Sequence, residues 1–176
     1  MSIYWIFESN DISSNVLIGI KWTWTWGTSR PITLIPTLLQ TTAFFIAWAT
    51  FFEKIISGEI PSYKIYEDEN YFAFLDINPN ALGHTLCVPK KEVDQVFDLD
   101  DDALSGLMIF SKKVAHAIKK AVVCKRVGIS VIGLEVPHVH VHLIPINTMD
   151  DMSFDSKIQL TKNEFVEIMN KIKLYI

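Results

Sequence analysis

A chain of 176 residues with a net charge of −4 has room for one ordinary domain plus an appendage, and such a domain folds without disulfides or metal staples. The acidic balance excludes a global basic field of the kind that gathers DNA or RNA, although local groups can still hold a small anion. The two cysteines, Cys87 and Cys124, stand far apart, so there is no Cys-x-x-Cys pair for zinc and no disulfide framework; this usage fits a reducing, cytoplasmic setting.

Composition changes near residue 52. All five tryptophans (Trp5, Trp22, Trp24, Trp26 and Trp48) precede it, and the only charges there are Glu8, Asp11, Lys21 and Arg30. The 22 residues from Pro31 to Phe52 carry no charge, and about 20 apolar residues suffice to span a bilayer. Against a span stand Pro31, Pro36, Gln40 and five threonines in that run, together with flanks that lack a Lys/Arg cluster. The run also lies too deep in the chain, and lacks the charged start and cleavage site, for an ordinary signal peptide. Three readings of residues 1–50 stay open. They form a membrane anchor, with membrane contact through residues 31–52 alone; a packing or interaction arm; or an extension translated from a misplaced start codon.

Residues 51–176 read as one α+β domain. FFEKIISG has helical spacing and ends at Gly58, with Pro61 as a stop signal. SYKIYED and NYFAFLDI are strand-like runs separated by Asp68-Glu69-Asn70. INPNALG is a loop, and HTLCVP is the next strand, with Cys87 in the core. A long helix starts at Asp100-Asp101-Asp102, where negative charge complements the helix dipole. Its apolar stripe is read as Leu104, Leu107, Met108, Ser111, Ala115, Ile118 and Val122, and His116 falls on its surface or rim. Strands are expected over Val127 to Ile132 and His138 to Ile146. Thr161 and Glu164 have capping-box spacing at the start of a last helix.

The informative stretch is PHVHVHLIPI, residues 137–146. Side chains alternate across a strand, so His138, His140 and His142 share one face while Val139, Val141 and Leu143 share the core face. Three adjacent imidazoles crowd one another and repel if protonated, which a purely structural role does not call for. Two chemistries compete. The histidines can ligate a metal, with His84 completing the set, or a neutral imidazole can act as nucleophile and form a covalent intermediate. Metal-bound histidines usually have carboxylates behind them; Glu135, the nearest acid, has the opposite strand parity.

His138-Val139-His140-Val141-His142-Leu143-Ile144 resembles the signature of the histidine triad (HIT) family. The resemblance extends over FFEKIISGEIPSYKIYEDENYFAFLDINPNALGHTLCVPKKE, including Gly83-His84, Pro89 and Lys90, and covers residues from about 51 to at least 147. It implies a HIT-like antiparallel sheet of about five strands with a long helix and a C-terminal helix, preceded here by an atypical apolar extension. It also implies a homodimer that binds purine nucleotides, needs no cofactor and has no nucleic-acid partner. By carry-over His140 attacks the α-phosphorus to form a nucleotidyl-histidine, His138 orients it, and His142 and His84 contact phosphate. Asp76 and Ile77 line the ribose and base pocket, with Asp76 accepting from the ribose hydroxyls.

The chain departs from the pattern just before the triad. Gly133 is retained, but Leu134 and Glu135 stand where many members carry Gln and Ser near the substrate. An ionised Glu135 beside phosphate would repel it, unless it points away or meets a cationic leaving group. FFEKI also replaces the cysteine pair that binds zinc in some members, so no structural zinc is expected. The expected activity is a nucleotide hydrolase or nucleotidyl transferase acting on a phosphoramidate, anhydride or ester. The alternatives are a non-catalytic nucleotide-binding module and a metal-binding protein that uses the triad as ligands.

Overall fold

The computed structural model describes residues 51–176. The anchor, arm and start-codon readings of residues 1–50 lie outside the described residues. Residues 51–57 are helical (α1) and end at Gly58, where the glycine and following proline stop the helix. Five strands follow in one antiparallel sheet: β1 (Lys64–Glu67), β2 (Tyr71–Leu75), β3 (Thr85–Pro89), β4 (Arg126–Ser130) and β5 (Val141–Ile146), in the order β1-β2-β3-β5-β4. The long helix α2 (Asp101–Ala121) connects β3 to β4, and α3 (Lys162–Lys173) closes the chain.

Both long helices are capped as their sequences suggest. The Asp100 side chain accepts from the Ala103 N–H at 2.7 Å, with Lys119 and Lys120 in the last turn of α2. Thr161 and Glu164 form the reciprocal capping box of α3. The buried stripe of α2 is rotated in part from the expected one: Leu107, Ser111 and Ile118 are buried as expected, Phe110, Val114, Ala117 and Ala121 join them, and Met108 is exposed. His116 is exposed and Cys87 is fully buried.

The two faces of the sheet carry separate cores. Ala73, Leu75, Cys87, Val141 and Leu143 point to α2 and α3, where Leu107, Val114, Ile118 and Ile172 cover them. Phe72, Phe74, Leu86 and Val88 have the opposite parity and pack with Phe52 and Ile55 of α1. Register carries that second face across the sheet, pairing Phe74 with Leu86 and Leu86 with His142. The histidine face is therefore the face that α1 covers. Among the described residues no helix is long and apolar enough to cross a membrane.

Candidate active site

The expected strand from His138 to Ile146 is shorter than its alternation suggested. Its ladder with β3 begins at Val141, so of the triad only His142 lies in β5. Before it the chain makes loop bonds instead: the His138 N–H donates to the Val136 carbonyl, and the Val139 N–H donates to the Val93 carbonyl, both at 2.8 Å. Alternation nonetheless survives. Val139, Val141 and Leu143 sit in the α2 core, and His138, His140 and His142, all buried, face the other way. The Phe52 ring meets those of His138 and His140 edge-on, with centroids at 5.4 and 5.5 Å.

His84 reaches the same place from the loop between β2 and β3. Gly83 precedes it at φ 85°, and a Cβ there would lie 2.9 Å from Val122 Cγ2, so glycine meets both the left-handed backbone and the close approach. His84 is wholly buried, and its Nε2 stands 3.0 Å from Nδ1 of His142. Asp76, at the end of β2, places Oδ2 3.5 Å from His84 Nδ1 and accepts the Asn78 N–H at 2.8 Å.

Hydrogen bonds decide where the ring protons sit. His140 Nδ1 lies 2.6 Å from the His138 carbonyl; a carbonyl only accepts, so Nδ1 carries the proton and Nε2 keeps its lone pair. His138 likewise donates from Nε2 to the Pro89 carbonyl at 2.8 Å, leaving its buried Nδ1 without a partner among the described residues. The contact between His138 and His140 thus runs through the His138 backbone, while the His138 ring is tied to β3.

Burial holds the cluster neutral. It pushes His84 and His142 down to about 3, helped by neighbouring histidines and by the Lys157 ammonium. Burial also lowers His138 and His140, opposed at His140 by its bond to the His138 carbonyl and by the charges of Asp76 and Glu135. Asp76 is raised by burial, against the pull of the Asn78 N–H and Lys157. At neutral pH the four rings are uncharged.

The sequence reading missed four residues around this cluster. Phe52 was read only as part of a helix. Asn80, only 6% exposed, gives its backbone N–H to His84 Nδ1 at 3.1 Å. Phe154 stands edge-on to His142, with centroids at 4.9 Å, and Lys157 lies over the Phe154 ring and donates to Asn80 Oδ1 at 2.7 Å. Phe154 and Lys157 come from an irregular segment after β5, where no periodicity marks a residue. By contrast Lys90, a possible source of positive potential, pairs with Glu67 at 3.1 Å.

Asp76, His84 and His142 offer potential metal ligand atoms within 4.8 Å of one another. Both His84 nitrogens are already engaged, Nδ1 with the Asn80 amide and Nε2 with His142 Nδ1. A cation bound through His84 would have to displace one of these bonds.

A cleft of about 710 Å³ opens beside His140, lined also by Phe97, Val131, Ile132, Gly133, Leu134 and Glu135. Comparison with known proteins agrees with this architecture. The family model for the HIT domain matches residues 57–149, more than half of the chain. The chain belongs to the HIT family. An uncharacterized HIT-like protein of Borreliella burgdorferi is 37% identical over 134 residues, covering 71% of this chain and 96% of that protein. An adenosine 5′-monophosphoramidase of Saccharomyces cerevisiae is 42% identical over 99 residues, covering 55% of this chain and 62% of its own length. The crystal structure of a HIT-like protein from Bartonella henselae superimposes with a TM-score of 0.64 at 32% identity, covering 71% of this chain and 94% of that one.

In this HIT protein Gly133, Leu134 and Glu135 form part of the cleft wall. Gly133 has φ 71° with open space around it, and Leu134 is 89% exposed. Glu135 does not point away: it lines the same cleft as His140, and its charge acts on both His140 and Asp76. Ile77 is 70% exposed beside Asp76, an apolar surface without a partner among the described residues of the second core.

Proposed function

We propose that this HIT protein is a hydrolase or nucleotidyl transferase acting at the α-phosphate of a purine nucleotide. The observation that carries the reading is the 2.6 Å bond from His140 Nδ1 to the His138 carbonyl. It leaves an unprotonated, uncharged Nε2 in a group whose pKa burial has lowered, which is what a nucleophilic imidazole needs at neutral pH. Its similarity to a yeast adenosine 5′-monophosphoramidase supports the substrate class.

In this reading His140 Nε2 attacks the α-phosphorus, the bond to the leaving group breaks, and water later releases the nucleotide from the histidine. His142 contacts phosphate as a neutral donor, with buried His84 behind it donating to His142 Nδ1 rather than touching phosphate itself, while Asp76 accepts from the ribose hydroxyls and Ile77 packs against the base. Gly133 leaves room at the cleft wall. Glu135 disfavours a leaving group that carries negative charge and suits one that departs as an amine, so phosphoramidates should be preferred to dinucleoside polyphosphates. The active species is a homodimer, in line with the apolar Leu134 and Phe97, 89% and 90% exposed at the cleft.

The test is a comparison of adenosine and guanosine phosphoramidates with dinucleoside polyphosphates, using His140→Asn as control and trapping of the nucleotidyl-histidine. Tight nucleotide binding with neither turnover nor a trapped adduct would favour the non-catalytic binding module instead.

A further inference from the structure

The Asn80 side chain bonds through both its oxygen and its nitrogen to the segment behind the site. Oδ1 accepts from the Lys157 ammonium at 2.7 Å, while Nδ2 donates to the Ser153 carbonyl at 2.9 Å and lies 3.5 Å from the Asp151 carbonyl. The Ile158 N–H donates to the Pro79 carbonyl at 2.9 Å and pins the same two segments together. The orientation of the amide is forced. An ammonium only donates and a carbonyl only accepts, so a flipped carboxamide would set donor against donor.

These side-chain bonds hold the Asn80 backbone in place beside the histidines. The Asn80 backbone N–H points at His84 Nδ1, 3.1 Å away, and an N–H only donates. His84 Nδ1 is therefore bare and its proton sits on Nε2, facing His142 Nδ1 at 3.0 Å. His142 Nδ1 must accept, which leaves the His142 proton on Nε2. A competing arrangement exists, because the Asp76 carboxylate lies 3.5 Å from His84 Nδ1 and would favour a proton there. That alternative would reverse both rings and leave His142 Nε2 without its proton.

We infer that Asn80, locked in place by Lys157 and the two carbonyls, is a positioning residue that decides this contest and holds a proton on His142 Nε2. His142 then offers a neutral N–H to an anionic phosphate oxygen, whereas the reversed ring would offer a lone pair and repel it. Lys157 contributes twice: it fixes the Asn80 amide, and its charge opposes protonation of both His84 and His142. The charged and titratable groups acting on this pair are Asp76, Lys157 and His140, with Glu135 reaching Asp76 and His140.

The inference rests on the reading of His142 as a phosphate-facing group, but its test does not depend on turnover. Nitrogen-15 spectra of labelled histidine in the full chain at neutral pH report which ring nitrogen bears the proton. The native protein should show His84 and His142 protonated on Nε2 and His140 on Nδ1. In Lys157→Met and Asn80→Ala the single Nε2–H state of His142 should give way to a mixture, and Lys157→Arg should restore it. An even mixture halves the population able to receive the phosphate, so KM should rise about twofold with little change in kcat. If Asn80→Ala fails to fold, Lys157→Met decides alone, since it leaves Asn80 in place. A native His142 proton on Nδ1 overturns the inference, as does an unchanged His142 signal in folded Lys157→Met. If the protein turns over no nucleotide but the proton positions shift as stated, the proposed reaction fails and this assignment stands.

Discussion

Nε2 of His84 and Nδ1 of His142 stand 3.0 Å apart although 58 residues separate them in the chain. One proton lies between two buried rings, each pushed down to about 3. The pair thus behaves as a neutral, directional unit, and folding, rather than local sequence, sets its direction.

The pair should make stability pH-dependent. An unfolded histidine titrates near 6.5, whereas the native groups titrate at about 3. As pH falls below 6.5 the unfolded chain takes up protons that the native chain does not, so the stability present above that value is progressively lost toward pH 3. Urea midpoints should therefore fall steeply as the solution is acidified from neutral, and less steeply in His84→Asn. Native stability that stays level over that interval would contradict the depressed pair.

Removing the nucleophile should separate chemistry from binding. His140→Ala is expected to abolish turnover while nucleotide affinity stays within about tenfold, ~1.4 kcal/mol. Calorimetric binding alongside product release measures both. Substantial turnover by the pure variant would show that another group attacks phosphorus.

Phe52 should matter to both core and site. Its ring is 3% exposed and touches Phe74, His138 and His140. Phe52→Ala is expected to cost about 3–5 kcal/mol, as burial is lost and a cavity opens. The melting temperature should drop, and residual activity should fall more than the folded fraction because the His140 ring loses its wall. A thermal shift of only a degree or two would mean that α1 contributes little.

Chelation should leave the reaction intact. Both ring nitrogens of His84 and Nδ1 of His142 are engaged with Asn80 and with each other, and His140 is assigned as nucleophile rather than ligand. Full turnover in EDTA, with no stoichiometric zinc in the purified chain, is the expected result. Activity lost to EDTA and restored by zinc would instead promote the metal-binding alternative.

Much of the architecture was legible in the order of residues because its signals are local. Alternation from Pro137 to Ile146 put three histidines on one face, Asp100 and Thr161 marked helix starts, and the apolar runs of β2 and β3 announced buried strands. The start of β5 is not legible because alternation reports which way side chains point, whereas the ladder depends on backbone pairing; that pairing stops at Cys87 with Val141 although β3 runs on to Pro89 beside β2. The rotation of the α2 stripe has a similar origin. Several faces of that helix are apolar, and only the sheet beneath it chose Phe110 and Val114 over Met108.

The sequence by itself determined which chemistry is present: a histidine triad, a fourth histidine at Gly83-His84, and an acid at Asp76, all within short, specific patterns. Only the tertiary structure decided how those groups are wired. The Pro89 carbonyl meets the His138 ring across 49 residues, and Lys157 reaches Asn80 across 77. Such contacts leave no periodic trace, because a hydrogen bond requires only that donor and acceptor meet in space. The proton positions follow from these long-range bonds, since a free imidazole can carry its proton on either nitrogen and only a fixed donor or acceptor selects one.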